Sequence, residues 1–254
     1  MNQIEKDRFF TMAETYDKMA QILVPQYDAL QNEVFNIIHF PINNELVVLD
    51  LGAGSGIFLE KVLSTYPNSF CYWIDYSFDF MKVAQERLKK YGNRVRYILS
   101  PLEKNWEEQL EHQPDLIFSM SAIHHLTSKE KKDVYTKCYN LLKHTGWFFN
   151  ADEMKTINKE PYKNSLIYWA NYVNSSKDKV PSDLQHFYEK WNLTFNGWKQ
   201  RNIDNFGQPK FKGDDMHENF LDQLKWLGNI GFTNEDVFMK YHLWTLIGGQ
   251  KQNK

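Results

Sequence analysis

Five short apolar runs, separated by helix-like stretches, constrain this chain more than any other feature. They are residues 46–50, 70–75, 95–99, 114–119 and 146–151. Such runs are too continuous for strands with one wet face and read as strands buried on both faces. Between them lie helical patterns. Ile57, Leu59, Val62 and Leu63 recur at helical spacing; Ser77 is the expected cap of a helix reaching about Tyr91; Ser128 is the expected cap of another, with Val134, Cys138, Leu141 and Leu142 inward. Strand–helix alternation over about 105 residues implies a parallel sheet with helices on both faces.

The flanks read differently. Phe9, Phe10, Ala13, Tyr16, Met19 and Ala20 follow a helical period, Pro25 interrupts, and a second helix is expected to about Phe40. After Asp152 the alternation stops, and residues 155–214 show no clear strand. A helix over 215–230, closed by Gly228 and Gly231, precedes runs at 232–240 and 241–247 that suit a tight antiparallel pair. Lys240 and Tyr241, however, are not favoured hairpin-turn residues. The expected division is an N-terminal helical cap (1–42), an α/β core (43–154), a helical lid insertion (155–214) and a completion of the core (215–254).

Composition narrows the class. Thirty basic and 32 acidic residues nearly cancel, so a general nucleic-acid or anionic-membrane binder is not expected. Two cysteines, Cys71 and Cys138, exclude a disulfide scaffold and a four-cysteine zinc site, and point to a reduced, cytoplasmic setting. The N-terminus has no secretory-signal pattern, and no run of about 18 apolar residues suggests a membrane span.

The chemistry-bearing constellation is Val47-Val48-Leu49-Asp50-Leu51-Gly52-Ala53-Gly54-Ser55-Gly56, with Asp75 nineteen residues beyond Gly56. A strand feeding a glycine turn and then a helix lets a ligand approach backbone closely, and an acid ending the next strand can accept from two ribose hydroxyls. The loop is not G-x-G-x-x-G, because Ile57 stands at the third glycine position. Asp50, two residues before Gly52, is a poor neighbour for a pyrophosphate and a good one for a cationic or zwitterionic ligand. A nicotinamide oxidoreductase is therefore the weaker reading.

These segments, with Ile74-Asp75-Tyr76-Ser77, Pro114-Asp115-Leu116-Ile117-Phe118-Ser119 and Ile123-His124-His125-Leu126, resemble the ordered motifs of class I S-adenosylmethionine-dependent methyltransferases. The resemblance covers residues 46–152 best. It implies a doubly wound, mostly parallel seven-stranded sheet of order 3-2-1-4-5-7-6 with strand 7 antiparallel, and S-adenosyl-L-methionine as cofactor. It places Gly52, Ala53 and Gly54 against the methionine part, Asp50 beside them, Asp75 on the ribose, Tyr76 on the adenine, and Ser119 and Met120 facing the cofactor. The stretch after strand 3 lacks the family's usual Asp, so Ser100, Leu102 or Glu103 takes that edge. The segment from Phe10 through Ala13 and Tyr16 to Asp17 resembles one that folds over the cofactor in small-molecule members; Tyr16 is either such a contact or a core residue.

Methyl transfer from a sulfonium needs alignment and water exclusion, and a base only where the acceptor is protonated. His124 and His125 are the candidate catalytic residues, with turn-shaping as their alternative role. Asp152 and Glu153 are candidate acceptor contacts. No compact ligand spacing appears, so no metal is expected. Residues 155–200 hold nine aromatics against seven Ile, Leu or Val, which suits a ring-lined lid, with Tyr168, Trp169 and Tyr172 as candidate contacts. The expected reaction is methyl transfer to a small-molecule acceptor, with no nucleic-acid or membrane partner; a homodimer stays open. RNA or protein methylation, or a silent cofactor-binding regulatory subunit, are the alternatives.

Overall fold

Each apolar run becomes a strand because only sheet pairing satisfies its backbone in the core that its side chains create. The computed structural model describes residues 13–252. β1 (Val47–Leu51), β2 (Phe70–Asp75), β3 (Val95–Leu99), β4 (Leu116–Met120) and β5 (Trp147–Glu153) are parallel, in the order 3-2-1-4-5. β6 (Thr233–Tyr241) and β7 (Trp244–Gln250) complete seven strands as β5-β7-β6, both β7 pairings being antiparallel. This is the order that the family resemblance implies. The turn between β6 and β7 is His242-Leu243, with His242 at φ 54°, not the expected Lys240-Tyr241. β5 also runs two residues further than its apolar run, so Asp152 and Glu153 end the strand rather than follow it.

Helices cover both faces. α1 (Ala13–Leu23) and α2 (Tyr27–Ile37) are broken at Pro25, where Gln26 adopts φ 63°. Phe9 and Phe10, read as part of the first helix, lie outside the described residues. α3 (Ile57–Thr65) and α4 (Phe78–Leu88) follow β1 and β2, and the Ser77 hydroxyl caps α4 by accepting from Phe80 N. α5 (Ser128–Leu141) is capped by Thr127, not Ser128. The Thr127 hydroxyl accepts from Glu130 N while Glu130 accepts from Thr127 N, and Ser128 instead donates to Glu218. α6 (Lys159–Ser175) and α7 (Gln185–Lys199) fill the segment without strands, and a turn of π-helix follows over Gln200–Asp204. α8 (Phe220–Ile230) precedes β6; Gly231 at φ 123° ends it, while Gly228 lies inside it.

The rings of α7 point inward. Phe187, Tyr188, Trp191, Phe195 and Trp198 are buried at helical spacing. They pack on α1 and α6: Tyr16 stacks on Trp191, Trp169 meets Phe195 and Trp198 edge-on, and Trp169 Nε1 donates to Leu23 O. The N-terminal helix and the inserted helices thus close over the carboxyl ends of the parallel strands together.

Candidate functional site

The glycine turn after β1 is built by close approach. Gly52 has φ 69°, and a Cβ there would stand 2.2 Å from Ala122 Cβ, so the loops after β1 and β4 touch only because residue 52 is glycine. Gly54 (φ 51°) donates its N–H to Asp75 Oδ2 at 3.0 Å, and Ser77 N donates to Asp75 Oδ1 at 2.8 Å. The carboxylate that ends β2 is therefore fixed by the loop it faces. Burial pushes the Asp75 carboxyl up to about 6 against the pull of those N–H groups. Asp50 is buried too; burial first, then repulsion from Asp75, pushes its carboxyl well above the ordinary range.

Both acids open on a cavity of about 970 Å³. Gly52, Ala53, Gly54, Tyr76, Leu102 and Met120 line it, as do Tyr16 and Glu103. Ser100 and Ser119 do not. Ser100 closes the β2–β3 edge, donating its N–H to Asp75 O. Ser119 is fully buried, its hydroxyl donating to Leu51 O. Alternate side chains of a strand face opposite ways, so Phe118 and Met120 meet the cavity and Ser119 turns from it. Two lining residues that the sequence did not single out are Tyr27 and Gln31 of α2. Gln31 donates to Met120 Sδ, and its buried Oε1 has no hydrogen-bond partner.

A second, smaller cavity of about 70 Å³ adjoins the first. Tyr16, Ser121, His125 and Thr194 line both. Its own walls are His124, Glu153, Asp215 and the rings of Trp169, Phe195 and Trp244. Here charged groups concentrate. Asp152 accepts from His124 N at 2.8 Å through Oδ2, and its Oδ1 lies 2.5 Å from His124 Nδ1. Burial works to lower the His124 imidazole, but Asp152, backed by Glu153 and Asp215, carries it up to about 9. Burial and the His124 charge push His125 down to about 3. Glu153 Oε2 lies 3.0 Å from His217 Nε2, and Tyr162 Oη is 2.7 Å from His217 Nδ1. Asp152 thus acts on the cavity only through His124, whereas Glu153 meets it directly.

Of the lid candidates, Trp169 lines the smaller cavity. Tyr168 stacks on His242 and pairs with Tyr241 Oη at the β6–β7 turn, with Tyr172 stacked on it, away from both cavities. Asp215, His217 and Arg201 arrive from the segment 200–217, which carries no periodic signal that ties it to the histidines.

Residues 48–146 match the family described as "Methyltransferase domain". Over this stretch the chain is similar to the class I S-adenosylmethionine-dependent methyltransferases, whose sheet order it shares. Malonyl-[acyl-carrier protein] O-methyltransferase 2 of Ilyobacter polytropus is 30% identical over 156 residues, which are 59% of this chain and 52% of that protein. Phosphoethanolamine N-methyltransferase of Plasmodium falciparum is 31% identical over 115 residues, 45% of this chain and 42% of that one. The chain spans about half the length of these curated relatives. Human N-acetylserotonin methyltransferase, solved with its methyl-donor cofactor, superposes with a TM-score of 0.52 at 13% identity, covering 98% of this chain and 57% of that one.

The methyltransferase cofactor, S-adenosyl-L-methionine, fits the residues present. Its ammonium and sulfonium charges suit a cavity walled by the buried, uncompensated Asp50 carboxyl, and its ribose hydroxyls suit Asp75. The positive-φ glycines leave the loop wall without Cβ atoms. Among the described residues no helix is long and apolar enough to cross a membrane.

Proposed function

We propose that this chain transfers a methyl group from S-adenosyl-L-methionine to a small-molecule acceptor seated against the His124–His125 turn. One observation carries the reading: Tyr16, Ser121, His125 and Thr194 line both cavities, so the cofactor cavity continues into the ring-walled one. The bound cofactor supplies an electrophilic methyl group on a positively charged sulfur. The chain's part is placement and desolvation. Asp50 and Asp75 hold the two ends of the donor, and Gly52 to Gly54 let it lie against backbone. Trp169, Phe195, Trp198 and Trp244 exclude water from the acceptor side, and Tyr16 with Trp191 closes the joint between the two spaces. His124 and His125 are the polar groups nearest the acceptor, with Asp152 fixing the first through its Nδ1 edge. Glu153 is the carboxylate offered directly to an acceptor.

The relatives are named for an O- and an N-methyl transfer, so the acceptor atom is a matter for assay. Calorimetric titration with S-adenosylhomocysteine, followed by release of that product from a metabolite panel, tests the reading. Saturable micromolar binding with turnover on one compound is expected. No binding at millimolar ligand overturns it.

A further inference from the structure

The chemistry beside the histidine turn goes beyond methyl transfer. His124, His125 and Asp215 each offer one ligand atom, and the three atoms lie within 4.8 Å of one another. His124 Nε2 and His125 Nδ1 are each 3.9 Å from the same oxygen, Asp215 Oδ1. An ion central to such a triangle would sit within about 2.5 Å of every donor, a few tenths beyond a zinc–imidazole bond of about 2.0–2.1 Å. A small rotation of each side chain closes the difference.

The outer edges of His124 and Asp215 are already held. Asp152 Oδ1 fixes His124 Nδ1, which leaves Nε2 facing inward. Asp215 gives its other oxygen, Oδ2, to Asn202 Nδ2 at 2.7 Å and Arg201 Nε at 3.2 Å, which leaves Oδ1 facing the imidazoles. A carboxylate behind a metal-binding histidine, and hydrogen bonds behind a metal-binding carboxylate, are the usual outer supports of such sites. The backbone is pinned as well. Met216 N donates to His124 O, and the buried Lys131 ammonium donates to the Leu126 and Met216 carbonyls, tying the two ligand-bearing segments together.

Charge agrees. Asp152 and Asp215 are buried carboxylates set against the two histidines, and the buried Glu153 lines the same cavity, a setting that suits a cation. Two imidazoles and a carboxylate are borderline ligands that suit zinc and cobalt better than magnesium or calcium. Three protein ligands leave a fourth position open, as in catalytic rather than structural sites. That position faces the junction of the two cavities, since His125 lines both.

We propose that His124, His125 and Asp215 form a divalent transition-metal site, zinc-like in preference, whose open position receives the acceptor's nucleophilic oxygen, nitrogen or sulfur. The ion itself is inferred from the protein's own ligands. Only its meeting with the acceptor rests on the methyl-transfer reading, and the test does not use turnover.

Metal-stripped, untagged protein is titrated with Co²⁺ alone and followed by visible d–d absorption and calorimetry. One equivalent is expected to bind at micromolar concentration with a four- or five-coordinate spectrum, and Zn²⁺ is expected to displace it. Asp215→Asn and His125→Gln are each expected to weaken Co²⁺ by more than tenfold, and Asp152→Asn by about ten- to hundredfold through its hold on His124. His125 is the partly exposed member of the set, so His125→Gln keeps the test alive should Asp215→Asn unfold; circular dichroism melts report folding. Absence of saturable Co²⁺ binding by the wild type, or equal binding by folded His125→Gln, overturns the site. Cofactor titration reports separately on the methyltransferase reading, because Asp50 and Asp75 stand outside the metal set.

Discussion

Lowering the pH through 6 should weaken cofactor binding, with Asp75 as the group responsible. Its carboxyl sits at about 6 in the free protein because burial outweighs the N–H groups of Gly54 and Ser77. Ribose hydroxyls bind an ionised carboxylate better than a protonated one, by about 1–1.5 kcal/mol for a charge-assisted against a neutral hydrogen bond. At 1.36 kcal/mol per pH unit, the bound carboxyl then titrates about one unit below the free one. Binding therefore releases a proton between pH about 5 and 6. The sign follows: affinity is full above pH 6, falls as pH drops through that window, and levels off about tenfold weaker. Calorimetry with S-adenosylhomocysteine from pH 4.5 to 8, in buffers of different ionisation enthalpy, reads both the affinity and the proton. Asp75→Asn should bind about tenfold more weakly at pH 8 and lose the step. Asp50 stays in that variant but loses the repulsion of Asp75 that helps to raise it, so an Asp50→Asn profile measured alongside separates the two carboxyls. A flat profile in wild type, or the same step in Asp75→Asn, would refute the assignment.

Gly52→Ala should cost at least about 2 kcal/mol in urea unfolding, since it meets both a positive φ and Ala122 Cβ at 2.2 Å; unchanged stability would show that the two loops are free to part. Lys131→Met leaves the Leu126 and Met216 carbonyls without their donor and should lower stability by about 2 kcal/mol, read by the same assay. Thr127→Ala removes the capping box of α5, about 1 kcal/mol by thermal or urea melt, while Ser128→Ala should cost less because Ser128 is not the cap.

The sheet was legible because its signals are local. Apolar runs, a glycine turn at Gly52 and acids at or next to the ends of β2 and β1 are each contained in a few residues, and they agree with one another. Where the reading slipped, a local rule was available in two cases. Thr127-x-x-Glu130 is a capping box, which decides between Thr127 and Ser128. Strand parity puts Ser119 opposite Phe118 and Met120, so those two could not share the cavity with it. The hairpin turn was not legible in this way. His242 takes a left-handed conformation without being Gly or Asn, because the β6–β7 register and the Tyr168 ring stacked on it fix its place.

The acceptor side resists sequence reading for a different reason: its partners come together only through tertiary contacts. His124 and Asp152 lie 28 residues apart, the first in the turn just past β4 and the second near the end of the neighbouring β5, so the sheet order brings their segments together. Asp215 is ninety-one residues from His124 on a segment with no strand or helix, and nothing in its spacing announces it. What brings it there is Lys131. A lysine on the inner face of α5 looks like an error in an apolar stripe, yet it is only 1% exposed and donates to carbonyls on both sides of the gap. A buried ammonium is tolerated only with such acceptors around it, and burial has already pushed Lys131 down to about 8. The out-of-pattern lysine is therefore a sequence mark for the segment that carries Asp215. It says that carbonyls from elsewhere must converge on α5, and Asp215 is carried in beside them.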